Sequence, residues 1–284
     1  MRFSACEDVI SITPRNPFDR FDDGRPKVPD DLIERMKLVA TEEAWDVLRK
    51  HGYNFQFEGN WVNLHPDRVL VGRAITATMV PIRPDLDDVV KAQGEREGRH
   101  LTPARWVLNA VRENDVVVVN LFGKVKNTFI GDNLAFGVSS QKGAGLVIDG
   151  GIRDPGGVYD APNINVFCRG FDPGVGGSYL TLISLNGPTR IGEATVIPGD
   201  IVLGTLEGVT FIPPHLVEEV VTTSGDVRLH DEFRKQRMLE HKYTAEQCYV
   251  HPWSDEIEAD FQEWRKQRQS QLNQELRLHI CSRR

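Results

Sequence analysis

From Asp132 to Asp154 the chain reads DNLAFGVSSQKGAGLVIDGGIRD, a helix-forming stretch and a strand-forming stretch bracketed by an acid and an Arg-Asp pair. Leu134, Ala135 and Val138 recur at helical spacing and Gly143 is a stop signal. The spacing predicts a helix from Asn133 to Lys142, about ten residues long and rising roughly 15 Å. Leu146-Val147-Ile148-Asp149 predicts a buried strand that, with its flanking glycines, returns about 15 Å at roughly 3.3 Å per residue. The two displacements nearly cancel, so Arg153 and Asp154 arrive beside Asp132 at one edge of a sheet. Asp132 stands where an N-cap belongs, which turns the amides of Asn133, Leu134 and Ala135 outward toward an anion. Two carboxylates, a guanidinium and backbone donors on one rim fit a metal site.

Taken singly, these residues mean little. One Asp before a helix is most often a cap, and an Arg-Asp pair after a strand is often a surface ion pair. Their joint spacing carries the functional reading. GGIRDPGG lacks both the G-x-G-x-x-G order and the acidic follow-up of a dinucleotide site. Lys124 and Lys126 flank the candidate site, but a GKVKN loop favours solvated lysines over a Schiff base. The eight His are dispersed, with no H-E-x-x-H, so a zinc site is not expected. Asp46, Asp149 and Asp200 are read as caps or turn residues, with Asp149 near enough to the rim to brace it. Asp172 and Arg169 follow on a loop as outside candidates.

A chain of 284 residues, 40% hydrophobic and 26% charged, can bury one good core with an appendage. Its formal charge of −7 comes from 34 basic residues scattered among 41 acids, which leaves no basic stripe for nucleic acid. The N-terminus has no signal-like apolar run, and no stretch approaches the roughly 20 apolar residues of a membrane span. A cytoplasmic protein with no nucleic-acid and no membrane partner is expected. Cys6, Cys168, Cys248 and Cys281 are far apart, as reduced thiols are, with Cys168 read as buried filler.

Residues 1–29, rich in Pro, Asp and Arg, read as an irregular arm or a lid over a neighbour. Asp30 or Asp31 caps a helix through Leu32, Ile33, Met36 and Val39, and Thr41 to Lys50 predicts a second helix ended by Gly52. Val69 to Pro81 is strand-like, with Ile75, Ala77 and Met79 alternating against Thr76 and Thr78. Thr102-Pro103 opens a helix to about Glu113. Asp115 leads into VVVVN, apolar on both faces and hence a central strand. Short strands follow near Asn165–Phe167, Thr195–Ile197, Ile201–Leu203 and Val209–Ile212. From Pro214 the chain turns helical and charged. Ser254 caps a helix whose stripe of Ile257, Phe261, Trp264, Leu272 and Leu276 is expected to pack on a core or another subunit.

Asp132, twenty further residues and then Arg153-Asp154 match the D-x20-R-D signature of class II pyruvate aldolases related to 4-hydroxy-4-methyl-2-oxoglutarate aldolase, a group that includes RraA-like proteins. Ala44-Trp45-Asp46-Val47-Leu48 resembles the family's early helix, and Val71-Gly72-Arg73-Ala74-Ile75-Thr76 its Gly-x-Ala-x-Thr strand. Pro198-Gly199-Asp200 and Glu207-Gly208-Val209 resemble its closing hairpin. The resemblance covers about residues 30–220. Departures lie at Thr205-Leu206-Glu207-Gly208-Val209, where the family often has Asp-x-x-Gly-Val, and in extra segments at 55–66, 85–101 and the tail. These leave the substrate open.

The resemblance implies an α/β protein with a β/β/α swivelling-type core at 30–222, helical extensions at both ends, and a C-terminal extension at 223–284. It further implies Mg2+ or Mn2+ held by Asp154 and Asp132 through waters, the hydrated hard-oxygen shell these ions prefer. Arg153 would bond the 2-oxo oxygen of the substrate, and the amides of Asn133, Leu134 and Ala135 its carboxylate. Arg153, Asp132 and Asp154 would thus serve retro-aldol cleavage of a 4-hydroxy-2-oxo acid to pyruvate and a carbonyl product, with oxaloacetate decarboxylation as a side activity. Members of the family assemble as trimers or hexamers, which implies a homo-oligomer. Two other readings stay open: a regulatory protein that inhibits a ribonuclease, and a metal-dependent dehydratase or isomerase of oxo sugar acids.

Overall fold

A computed structural model describes residues 5–281, with side chains to residue 268. The chain divides between Val221 and Thr222 into two compact units. The first begins with helices α1 (Cys6–Ile12), α2 (Asp30–Met36) and α3 (Thr41–Lys50), then short strands β1 (Phe57–Glu58) and β2 (Val62–Asn63). The long strand β3 (Leu70–Pro81), helices α4 (Pro84–Arg96) and α5 (Pro103–Asn109) and strand β4 (Asp115–Lys124) follow. Next come α6 (Asp132–Ser140), β5 (Gly145–Ile152), α7 (Pro155–Tyr159) and β6 (Asn165–Phe171). Strands β7 (Leu180–Leu185), β8 (Thr189–Ile191), β9 (Ala194–Val196), β10 (Ile201–Gly204) and β11 (Val209–Ile212) complete the unit and lead into α8 (Val217–Leu239). Beyond lie α9 (Ala245–Tyr249) and α10 (Asp255–Cys281).

The main sheet runs β1-β11-β10-β3-β4-β5-β6-β2, with β7 also on β3. Strands β3 to β6 are parallel, and their neighbours join antiparallel. On one edge β3 pairs with β10 through Leu70–Arg73 and with β7 through Ala77–Pro81, while β4 holds the other edge. One strand thus serves two partners, and β8-β9 form a separate hairpin.

Central β4 is apolar on both sides because both sides are covered. Val117, Val119 and Leu121 join Ile75, Ala77 and Met79 of β3 in a core beneath α5, α6 and α7. Val116 and Val118 face a second core with Phe167, Val202, Phe211 and the hairpin residues Ile191 and Val196. The Val28, Leu32, Ile33 and Met36 side chains form a third with Val47, Leu48 and the start of α8.

Three expectations need correction. The arm read as irregular contains a helix, α1, which accords with a helical N-terminal extension, and Arg25, after that helix, is fully buried. The helix from Pro103 ends at Asn109, since the chain must turn at Asn114, with φ +62°, to enter β4. Asp85 to Leu101, read only as an extra segment, is largely the helix α4.

In the second unit, Phe233 of α8 packs with Tyr243, Cys248, Ile257, Phe261 and Trp264. The α10 stripe therefore closes a small core of its own extension. Ser254 Oγ accepts from the Ile257 amide at 3.4 Å, as a cap does. Leu272 and Leu276 lie outside the residues whose side chains are described. No helix among the described residues is long and apolar enough to cross a membrane.

Candidate active site

The C-terminal ends of the parallel strands carry the predicted charged groups. After β4 the chain doubles back along β5: the Phe129 amide bonds the Gly151 carbonyl at 3.3 Å, and the Arg153 amide bonds the Ile130 carbonyl at 3.0 Å. This backbone pairing lays Gly131 against the Arg-Asp pair. A Cβ at Gly131 would stand 2.9 Å from Asp154 Oδ2 and 3.0 Å from Arg153 Cγ. On the far side, a Cβ at Gly157 of α7 would stand 2.7 Å from Asp132 Cβ and 3.2 Å from its Oδ2. The two glycines let the chain carrying Asp132 lie closely against the turn that carries Arg153 and Asp154.

Arg153 Nη1 donates to Asp154 Oδ2 at 2.6 Å, with both side chains partly open to solvent. Asp154 caps α7 in the left-handed region, at φ 51° and ψ 49°. Glycine and, less readily, Asn and Asp are the residues that visit that region routinely. Asp132 Oδ1 accepts from its neighbour's Asn133 backbone amide at 2.7 Å and from the Asn133 side chain at 3.2 Å. Among the described residues, Asp154 Oδ1 and Asp132 Oδ2 carry no hydrogen bond.

The helix start differs from its prediction by one residue. Gly131 is the N-cap, because the space beside Arg153 and Asp154 admits no side chain, and Asp132 is the first helical residue. Ala135 is consequently no free donor: its amide bonds the Gly131 carbonyl at 3.1 Å. The Asn133 amide is held by Asp132, which leaves Leu134 as the outward-facing amide of the predicted three.

A polar row lies beside this site: the sequence singles out Asp149 as a brace and Arg169 as an outside candidate on a loop, which proves to be strand β6, but sequence reasoning missed Asn120, Glu58 and Trp61. Asn120 of β4 pairs in register with Asp149 of β5, and Arg169 of β6 follows on the next strand. Arg169 donates to Asp149 at 2.7 Å and to Glu58 at 2.7 Å, and lies 3.7 Å over the Trp61 ring. Asn120, Asp149, Arg169 and Arg190 line a cleft of about 340 Å³. The signal for Asn120 was available in its place at the end of the four-valine run of β4. Asp172 braces the loop by accepting from the Asn127 and Gly174 amides. Lys124 and Lys126 line a neighbouring cleft of about 280 Å³ with Phe122, Asn127 and Tyr179. Cys168 is enclosed in β6, and burial pushes its thiol up to about 11, which makes it inert.

Among the described residues no cluster of three or more His, Cys, Asp or Glu could hold a metal. Asp132 and Asp154 supply two hard-oxygen donors, each with one oxygen held by a protein donor and the other uncommitted. That set fits a hydrated Mg2+ or Mn2+ ion and not a softer metal that needs a complete protein cage.

Residues 41–211 match the RraA-like family, described as Aldolase/RraA. The chain belongs to this family. It is 33% identical over 155 residues to the Halalkalibacterium halodurans protein named "Putative 4-hydroxy-4-methyl-2-oxoglutarate aldolase", covering 51% of this chain and 71% of that one. It is also 29% identical over 230 residues to protein DlpA of Legionella pneumophila, covering 78% of this chain and 34% of DlpA, about a third of that relative's length. Among solved structures, RraAS2 of Streptomyces coelicolor, described as an unusual member of the RNase ES inhibitor RraA protein family, is similar at 25% identity and a TM-score of 0.65. That match covers 78% of this chain and 100% of RraAS2. An uncharacterized Pseudomonas syringae protein shares the fold at 21% identity and a TM-score of 0.65, over 82% of this chain and 96% of its own.

Proposed function

We propose that this chain is a divalent-metal-dependent pyruvate aldolase, cleaving a 4-hydroxy-2-oxo acid to pyruvate and a carbonyl product. The observation that carries the reading is the close approach of the Asp132 and Arg153-Asp154 segments at Gly131 and Gly157. The family match and the name of the Halalkalibacterium relative support it.

Asp132 and Asp154 would hold Mg2+ or Mn2+, which when bound would act as a Lewis acid on the 2-oxo group and carboxylate of the substrate. Arg153, which contacts Asp154, would keep positive charge beside the oxygen on which enolate charge grows. The Leu134 amide at the start of α6 would receive a substrate carboxylate, helped by the positive end of the helix dipole. The same arrangement favours loss of carbon dioxide from oxaloacetate. A homo-oligomer, trimeric or hexameric, accords with the exposed aromatics Phe122, Phe136, Phe171 and Tyr179.

The test is pyruvate release from oxaloacetate with Mg2+ or Mn2+. Activity abolished by EDTA and by Asp154→Asn supports the lyase. Loss of an oxo sugar acid without pyruvate would point to a dehydratase or isomerase instead. Inactivity across a panel of oxo acids, with tight binding to a ribonuclease, would replace the lyase with the regulatory reading suggested by the description of RraAS2.

A further inference from the structure

A second cleft lies at the opposite end of the parallel strands. Asp200 sits beside Ala74, near the start of β3, because its carbonyl accepts from the Ala74 amide at 2.8 Å. The aldolase candidates stand past the ends of β4 and β5. Between the residues after α1, the start of β10 and the chain after β11 there is a cleft of about 340 Å³. Ile12, Pro14, Ile197, Pro213 and Pro214 give it apolar walls.

Three polar residues on it are more than nine-tenths buried, Thr13, Gln56 and Asp200; the Thr13 hydroxyl is taken up by the Val9 carbonyl and Arg20. Both N–H bonds of the Gln56 amide are taken, by the Thr195 and Phe211 carbonyls at 3.1 Å each. This fixes the amide orientation and leaves Oε1 as the atom it can offer. Asp200 Oδ2 accepts from the Ile197 amide at 2.8 Å, which leaves Oδ1. Neither Gln56 Oε1 nor Asp200 Oδ1 has a partner among the described residues, and neither is sealed from solvent. Two convergent polar atoms, each on a residue held rigid by its other hydrogen bonds and each lining one small apolar cleft, are the make-up of a ligand pocket.

We propose that this cleft binds a small planar molecule with an amide edge, of the cyclic-amide or nucleobase class, its ring against the prolines and its N–H on Gln56 Oε1. The ligand carbonyl then meets Asp200, which must donate. Burial pushes the Asp200 carboxyl up to about 7, so its protonated, donating form is available near neutral pH. The other charged or titratable groups on the cleft are Arg15, at the rim, and His215 and Tyr53. His215 is held below its usual range by burial and by the charges of Arg15 and His51, so it brings no cation to oppose a neutral ring.

The experiment is titration of the full chain with uracil, hypoxanthine and nicotinamide, followed by calorimetry or protein NMR, with 1,3-dimethyluracil as the analogue that lacks N–H donors. Saturable binding of at least one amide probe is expected, weakened about tenfold or more by N-methylation, the equivalent of one lost hydrogen bond. Ile12→Trp, which puts bulk into the cleft and leaves Gln56 and Asp200 unsubstituted, should abolish it. Thr195→Trp, at an exposed position of the same wall, provides the same block should the first variant fail to fold. Absence of binding by all three probes, equal binding of the dimethyl analogue, or binding that survives a folded cleft-filling variant would overturn the proposal. Pyruvate release is not the readout, so failure here leaves the aldolase reading untouched.

Discussion

Arg25 and Asp115 form an ion pair at 2.9 Å with both side chains fully enclosed, joining the N-terminal segment to the first residue of the central strand β4. Asp115 also accepts from the Arg112 amide at 2.8 Å, and Arg25 reaches Asp23 at 2.9 Å. Around them, Arg25, Arg73 and Arg112 all stand over the Phe21 ring. Truncating one partner of a buried pair leaves the other charge unpaired in a medium that cannot solvate it. Arg25→Met is therefore expected to cost about 3–5 kcal/mol in urea denaturation. Arg25→Met with Asp115→Leu should cost clearly less than the two single losses added; additive losses would mean the charges are not coupled.

Gly131 and Gly157 give a sharper test of the candidate site than its charged residues do. Gly157→Ala brings a methyl to 2.7 Å from Asp132 Cβ, and Gly131→Ala brings one to 2.9 Å from Asp154 Oδ2. Both keep every charge and ligand atom in place and move only their spacing. A misplacement of about 1 Å can cost on the order of a hundredfold in rate. Each variant should lower pyruvate release from oxaloacetate by about ten- to a hundredfold while the protein remains folded by circular dichroism. Full activity in both would remove these residues from the chemistry.

Asp154 needs a substitution that respects its backbone. At φ 51° an alanine meets the steric penalty of the left-handed region, about 1–2 kcal/mol, whereas asparagine tolerates it. Asp154→Asn is expected to retain thermal stability and lose metal-dependent activity, while Asp154→Ala loses activity and some stability. Equal melting temperatures for the two would show that the strained conformation relaxes without the acid.

The parts of this fold legible in the sequence are those in which one physical signal dominates. Val116 to Val119 are apolar on both faces because two cores cover them, and a run of four valines states that directly. The Asp132 to Asp154 spacing brought its three groups together because helix length and strand length are nearly fixed per residue. Helix α4 stayed hidden because its buried face is Asp87, Val90 and Gly94. The spacing is helical, but one position is an acid bridged to Lys91 at 2.8 Å and another is a glycine cleared for Trp106. Arg25 was hidden for a related reason: a charged side chain reads as solvated until its partner, ninety residues away, is known. The one-residue error at α6 came from a true local preference, Asp at an N-cap, overridden by the crowding of Arg153 and Asp154 against Gly131.

Asp200 sets a pH dependence of stability that can be isolated. Burial raises its carboxyl from the ordinary value of 3.8 to about 7, against the Ile197 amide that favours the charged form. Between these two values the folded protein holds a proton that the unfolded chain has released, so stability falls as pH rises from about 4 to 7 and levels off above. At 1.36 kcal/mol per unit the full effect is on the order of 4 kcal/mol. Asp200→Asn keeps an oxygen to accept from Ile197 and carries no charge, so it should remove this slope. The difference in unfolding free energy between variant and parent, followed by urea denaturation from pH 4 to 8, is expected to grow in favour of the variant up to about pH 7. Subtracting one curve from the other cancels the remaining titrating groups, His215 among them, whose lowered value gives the opposite sign below its ordinary 6.5. A difference that stays flat across this window would mean that water reaches the Asp200 carboxylate and solvates it in the folded state.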